Sequence, residues 1–269
     1  MEEEKIVLLS QLEEAIVEIK GHFDDAVKDV ETKVADETRT VAKEAKELAT
    51  TANNAASEVK TAVDSRQYHF LTEDTSIALP TGRYKITVVG GGGGSQGGAA
   101  NIPVGGAGAG ALAIWTGELS AGTYSYTIGN GGAGVGNANG NNGQATIFNF
   151  GAGSHITAGG GRTPAARTAS QPGGLGGTVT SANLPTGGTL VSIDGIAGQP
   201  GSASGAANRA GNGGSTLYGI GGQGGVNNNA AGNPATALNG AGFGAGGGGA
   251  NGSFTAGAGA PGCIIIESV

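Results

Sequence analysis

Residues 84–94 read Tyr84-Lys85-Ile86-Thr87-Val88-Val89-Gly90-Gly91-Gly92-Gly93-Gly94. A run of β-formers passes without a break into pure glycine, so the glycine belongs to the same folded body as the strand rather than to a linker beside it. The motif recurs. Three segments can be laid over one another: Leu79-Pro80-Thr81-Gly82-Arg83-Tyr84-Lys85-Ile86-Thr87-Val88, Leu119-Ser120-Ala121-Gly122-Thr123-Tyr124-Ser125-Tyr126-Thr127-Ile128 and Leu184-Pro185-Thr186-Gly187-Gly188-Thr189-Leu190-Val191-Ser192-Ile193. Each is a turn closed by glycine and followed by a strand, and the first two run on into glycine at Gly90 and Gly129. Their unequal spacing, 40 and then 65 residues, excludes a regular solenoid. Further strands are expected at Ala111 to Trp115, Ala145 to Phe150, Ser215 to Tyr218 and Cys263-Ile264-Ile265-Ile266-Glu267. The last is too apolar for a free tail and is expected to pair centrally, beside Tyr84 to Val89.

Glycine dominates this part of the chain. Of 269 residues 57 are glycine, about three times the ordinary share of roughly 7%. Only Gly21 lies within residues 1–66, so the other 56 lie in 67–269. Collagen needs glycine at every third position and abundant proline, whereas here glycine comes in runs such as Gly246 to Gly249, with eight prolines in all. Disorder is opposed by low charge and by the interleaved aromatics Trp115, Phe148, Phe150, Tyr218, Phe243 and Phe254. Ordered glycine loses more backbone entropy than any other residue, so the tracts must be densely hydrogen-bonded to each other. Extended left-handed helices with three residues per turn, packed side by side, meet that demand, because no side chain holds the backbones apart. The ten residues from Gly240 to Gly249 are expected to form one such run.

The first 66 residues differ in every respect. They hold 16 of the 21 acids and 9 of the 14 bases, so the formal net charge of −7 is theirs alone and residues 67–269 are formally neutral. Apolar residues fall at Leu9, Leu12, Ile16, Ile19, Phe23, Val27, Val30, Val34, Val41, Ala45, Leu48, Ala52, Ala55, Val59 and Ala62, mostly three and four apart. That is the seam of a coiled coil, with eleven-residue spacings from Ile19 to Val30 and Val30 to Val41 where the supercoil straightens. A helix from Ile6 to Arg66 is roughly 90 Å long and needs partners. Branched Ile and Val at both seam positions favour three strands, giving a homotrimer; a hairpin turning near Gly21 or Asn53-Asn54 is the alternative. The expected plan is therefore an N-terminal α-helical coiled-coil stalk over 1–66, then a glycine-rich β and polyglycine II helix sandwich over 67–269.

The succession Tyr84 to Gly94, Gly122 to Gly132, Gln144-Ala145-Thr146-Ile147-Phe148 and Pro261-Gly262-Cys263-Ile264-Ile265-Ile266-Glu267 resembles the glycine-rich domain of bacteriophage tail-fibre proteins. It is also similar to the tip adhesins of T-even-type phages, from which this chain departs by carrying its own helical stalk. The resemblance implies a sandwich of polyglycine II helices that displays receptor-binding loops at one end. It implies a protein of the virion tail fibre, assembled in the host cytoplasm, held by other tail or baseplate proteins and binding a bacterial surface glycan or outer-membrane protein. Glycine-rich ectodomain segments of some animal receptor kinases are similar as well, but no secretory signal or membrane-spanning run accompanies them here.

Motifs for catalysis are weak. Gly219-Ile220-Gly221-Gly222-Gln223-Gly224 and Gly242-Phe243-Gly244-Ala245-Gly246-Gly247 match a dinucleotide-binding pattern that such composition generates by chance. Gly93-Gly94-Ser95-Gln96-Gly97 imitates a nucleophile elbow without the following helix. Beyond residue 66 the acids are Glu73, Asp74, Glu118, Asp194 and Glu267, an unpromising set for a glycosidase pair. His22, His69 and His155 are dispersed without metal-ligand spacing, and Cys263 is the only cysteine. No clustered basic surface points to nucleic acid. The expectation is a non-enzymatic protein without cofactor or metal. Its binding residues are sought where glycine stops: Arg162, Arg167 and Arg209 for phosphate or carboxylate, Asn227, Asn228, Asn229 and Asn233 for sugar hydroxyls, and Phe243 or Phe254 for stacking. The competing expectation is a structural fibre or connector that touches no receptor.

Overall fold

A computed structural model describes residues 2–64, 67–98, 102–136, 138–165, 172–204, 207–228, 237–252 and 254–269. The chain divides into two compact units, Met1–Ser65 and Arg66–Val269. The first is a single helix, α1 (Glu2–Asp64), uninterrupted at Gly21 and at Asn53-Asn54, so the hairpin alternative is not adopted. Exposed pairs one turn apart, such as Lys33 with Asp29 at 2.9 Å, add little. The aliphatic seam is bare in the single chain: Ile16, Ile19, Phe23, Val30, Val34, Val41 and Leu48 are all exposed.

The second unit is an all-antiparallel β-sheet domain. Its strands are β1 (Tyr68–Leu71), β2 (Thr75–Leu79), β3 (Gly82–Val89), β4 (Leu112–Leu119), β5 (Gly122–Thr127), β6 (Thr146–Gly151), β7 (Ser154–Ala158), β8 (Val179–Ala182) and β9 (Thr189–Ile193). Then come β10 (Ser202–Ser204), β11 (Ala207–Arg209), β12 (Gly219–Ile220), β13 (Val226–Asn228), β14 (Ala241–Gly242) and β15 (Cys263–Ser268). Two five-stranded sheets, ordered β1-β15-β3-β4-β9 and β2-β5-β6-β7-β8, enclose Tyr84, Ile86, Val88, Trp115, Tyr124, Tyr126, Phe148, Ile156, Ile264 and Ile266. As its composition requires, β15 lies inside its sheet, beside β3, with Ile266 opposite Ile86 and Glu267 opposite Lys85. Ser215 to Tyr218 is not a strand; Thr216 makes an isolated bridge to Gly219 and the segment turns the chain into β12.

The repeated turn motif has a physical basis. Tyr84 donates its hydroxyl to the Pro80 carbonyl at 2.9 Å, and Tyr124 donates to Ser120 at 2.7 Å. Each ring lies against the turn glycine two residues earlier, Gly82 and Gly122. The third copy has no tyrosine at the equivalent place; there Gly188 lies against Trp115. Burial raises the hydroxyl pKa of Tyr84, Tyr124 and Tyr126 and pushes the Cys263 thiol from 9.0 up to about 12. These groups ionise more readily when unfolded, so their contribution to stability is complete below their ordinary pKa values and is lost as pH rises from about 9 toward 12. We expect Cys263 to resist thiol reagents at pH 8 until denaturant is added, and thermal midpoints to fall steeply above pH 9; rapid labelling of the native protein at pH 8 contradicts this.

Between the strands the glycine tracts follow one rule of bonding. Gly90, Gly91 and Gly92 donate to Ala111, Gln144 and Ala260 at 2.9, 3.0 and 2.8 Å. Gly93, Gly94 and Ser95 then return to the same three neighbours, at Gly108, Asn141 and Gly257. The carbonyls of this tract accept from Gly161, Gly132, Gly247 and Val135. Tract 90–96 is thus bonded on six sides, to 104–111, 141–144, 256–262, 129–135, 244–250 and 159–164. Tracts 104–111 and 244–250 are bonded to six neighbours in the same way and to each other. Around these three lie 141–144, 129–135, 256–262, 238–240, 221–225, 210–214, 195–199, 172–178 and 159–164, each bonded to the next, with Gly143 donating to Gly161 to close the ring. The expected run from Gly240 to Gly249 is interrupted: β14 and the positive φ of Gly242 and Gly244 turn the chain there, and the tract proper begins at 244. Elsewhere in the array glycine serves close approach rather than unusual dihedrals, since a Cβ on Gly94, Gly108 or Gly247 meets neighbouring backbone.

Candidate functional site

The path of the chain gathers six connectors at one end of the array. β3 runs straight into tract 90–96 and tract 104–111 runs straight into β4; β5 and β6, β7 and β8, and β9 and β15 are joined to their tracts in the same manner. The strand-bearing ends of the tracts therefore lie together, and the described residues of the six connectors, 97–98 with 102–103, 136 with 138–140, 165, 200–204 with 207–209, 226–228 with 237, and 251–252 with 254–255, lie at the other end.

Two buried amides tie these connectors together. Gln96 donates Nε2 to the Pro164 carbonyl at 3.1 Å and accepts from Gly140 N at Oε1, 3.3 Å. Asn251 donates Nδ2 to the carbonyls of Asn208 and Gly225 at 3.1 and 2.7 Å. Bridges between Gln96 and Val135, Gly97 and Ala250, and Pro103 and Asn251 complete the base. On it rests a small sheet ordered β10-β11-β13, with Arg209 opposite Ser202 and Val226, and Asn208 opposite Asn227. In the sequence Gln96 and Asn251 carry one signal, a lone amide at the end of a glycine-rich run.

The sequence-derived candidates separate into groups. Arg209 is exposed on β11 and Phe254 is exposed in the last connector, both at the connector end. Asn227 and Asn228 stand in β13, in register with Asn208 and Ala207. Arg167, Asn229 and Asn233 lie outside the described residues. Arg162 is not in a loop: its backbone donates to Leu175 and accepts from Gly108, which places its exposed side chain on the flank of the array. Phe243 is at the opposite end, edge-to-face with Phe70 at 5.1 Å and packed on Val89, Leu112 and Ile265, because the chain turns there toward the sheets.

Charge is divided along the unit. Glu73, Asp74, Glu118, Asp194 and Glu267 all fall in or beside strands of the sheet end, whereas the described residues of the six connectors include Arg209 and no acid. Among the described residues no group of three or more His, Cys, Asp or Glu could hold a metal ion, and no helix is long and apolar enough to cross a membrane. A family model described as a glycine-rich domain matches residues 71–268, which takes in all the tracts and every strand from β2 to β15. No curated protein matches the sequence.

Proposed function

The chain belongs to this glycine-rich domain family, and from that premise we propose that it is a bacteriophage tail-fibre adhesin that attaches the virion to the bacterial surface through the connector end. In this reading α1 forms a trimeric coiled-coil stalk held by other tail or baseplate proteins. The tracts are polyglycine II helices, supported by the three-residue repeat of their hydrogen bonds. The protein is non-enzymatic and works without cofactor. The observation that carries the proposal is the convergence of six acid-free connectors on the amides of Gln96 and Asn251, a rigid base from which variable side chains can be presented. Arg209 suits a phosphate or carboxylate of a surface glycan, and Phe254 a sugar face or an outer-membrane protein.

Purified full-length protein is expected to coat permissive cells and to compete with adsorption of a phage carrying it. Arg209→Ala should weaken that competition about tenfold or more, the worth of a lost charge-assisted hydrogen bond, with the thermal midpoint unchanged. Failure to bind any permissive strain removes the adhesin reading and leaves a structural fibre or connector.

A further inference from the structure

The outer ring of tracts presents two unlike flanks. On one side Asn130, Asn141, Asn142 and Gln144 face solvent. On the other, tracts 172–178, 195–199 and 238–240 present Leu175, Ile196 and Leu238, with exposures of 63, 61 and 54%, and the turn at 215–220 presents Leu217 and Ile220, at 75 and 76%. The backbone sets these tracts in order round the ring: Gly195 donates to Gly177, Gln199 to Asn212, Gly213 to Gly222 and Leu238 to Gln223, with Asn212 and Gln223 exposed between the aliphatic residues. The belt continues onto the open edge strand β9, where Val191 and Ile193 are exposed. Ile193, Ile196 and Leu217 also line a cavity of about 150 Å³ with only Asp194 as a charged neighbour. So many large aliphatic side chains exposed on one flank, beside a sheet-edge strand, mark an interaction surface rather than ordinary exposure.

We infer that this flank packs against the glycine-rich unit of a second copy of the same chain, an inference that rests on the stalk reading above. The same chain carries another aliphatic surface, the seam of α1, which needs a second helix to cover it. Copies joined through that seam hold their glycine-rich units at high effective concentration, so a modest aliphatic patch suffices. Charge is compatible with self-association: residues 67–269 carry five acids and five bases, and Arg162, on the tract next to Leu175, is offset by Asp194 beside Ile193 rather than joined by further bases that would direct the flank to an anionic surface. The cavity is a place for an aliphatic side chain of the neighbouring copy.

Single cysteines test this in the full-length protein, because native Cys263 is fully buried. Ile196→Cys and Ile220→Cys sit in the belt, and Ala133→Cys is on the polar side. With assembly mass measured by sedimentation, the belt cysteines are expected to react with a bulky maleimide about tenfold or more slowly than the Ala133 variant, as at the core of an interface. Adding Ile16→Asp and Ile19→Asp to break the seam should give monomers in which all three react alike. A multimer whose belt and polar-side cysteines react equally overturns this inference and leaves the stalk intact. A full-length chain that is monomeric overturns the stalk reading and this inference with it.

Discussion

Gly92→Ala is expected to abolish folding of the glycine-rich unit. Gly92 lies in tract 90–96, at the meeting of two central tracts, and a Cβ built on it falls inside the carbonyl of Ala245, far closer than the 3.0 Å below which real Cβ atoms are essentially never found. The obstruction is backbone and has no rotamer to move. Relief requires 90–96 and 244–250 to part, and both are bonded on all sides. Breaking several of these bonds and leaving their partners buried costs at least about 4 kcal/mol, a large share of the 5–15 kcal/mol that holds an ordinary domain. Gly122→Ala is the matched comparison, since a Cβ there finds nothing closer than 3.7 Å. The readout is the emission of Trp115, the single tryptophan, which is completely buried and shifts to the red when the sandwich opens. A Gly92→Ala protein with native emission and an unchanged melt refutes the account of the array given above.

The second large effect is expected at Trp115 itself. It stands on β4, tilted against Phe150 at 4.7 Å, with Gly117 and Gly188 cleared of side chains around its ring. Trp115→Ala removes the largest fully buried side chain of the sandwich and leaves a hole that rigid neighbours cannot fill, at a cost of about 3–5 kcal/mol. The tracts join the same strands, so the loss should appear as one cooperative transition at lower denaturant, followed by exposure of Cys263 to a thiol reagent. A change of less than about 1 kcal/mol indicates that the neighbours collapse onto the site and that the glycine array alone sets stability.

The parts of this fold carried by side-chain periodicity are visible in the sequence. The seam of α1 and the alternation of Tyr124 and Tyr126 announce helix and strand, and the apolar run Cys263 to Ile266 announces a central position that β15 occupies beside β3. β1, β2, β7 and β8 escape because they are short, and β10, β11 and β13 because three-residue strands carry no usable period. Within the tracts, glycine carries no side-chain pattern at all. Which tract bonds to which is written only in where the strands enter and leave. That is why Arg162 reads as a loop residue and lies on a flank, and why Phe243 reads as a tip residue and packs against Phe70. The amides of Gln96 and Asn251 matter for the same reason: each stands where backbone bonding ends and supplies the donors the array can no longer provide.

The three-centred array has a thermodynamic consequence. Most domains owe their temperature dependence to apolar surface, whose hydration on unfolding gives a large positive heat-capacity change. Here much of the interior is peptide group bonded to peptide group, and exposure of polar surface lowers that increment. For its size the unit should therefore have a flat stability curve, losing little on cooling and weakening gradually on warming, with its enthalpy of unfolding nearly constant across the range in which it works.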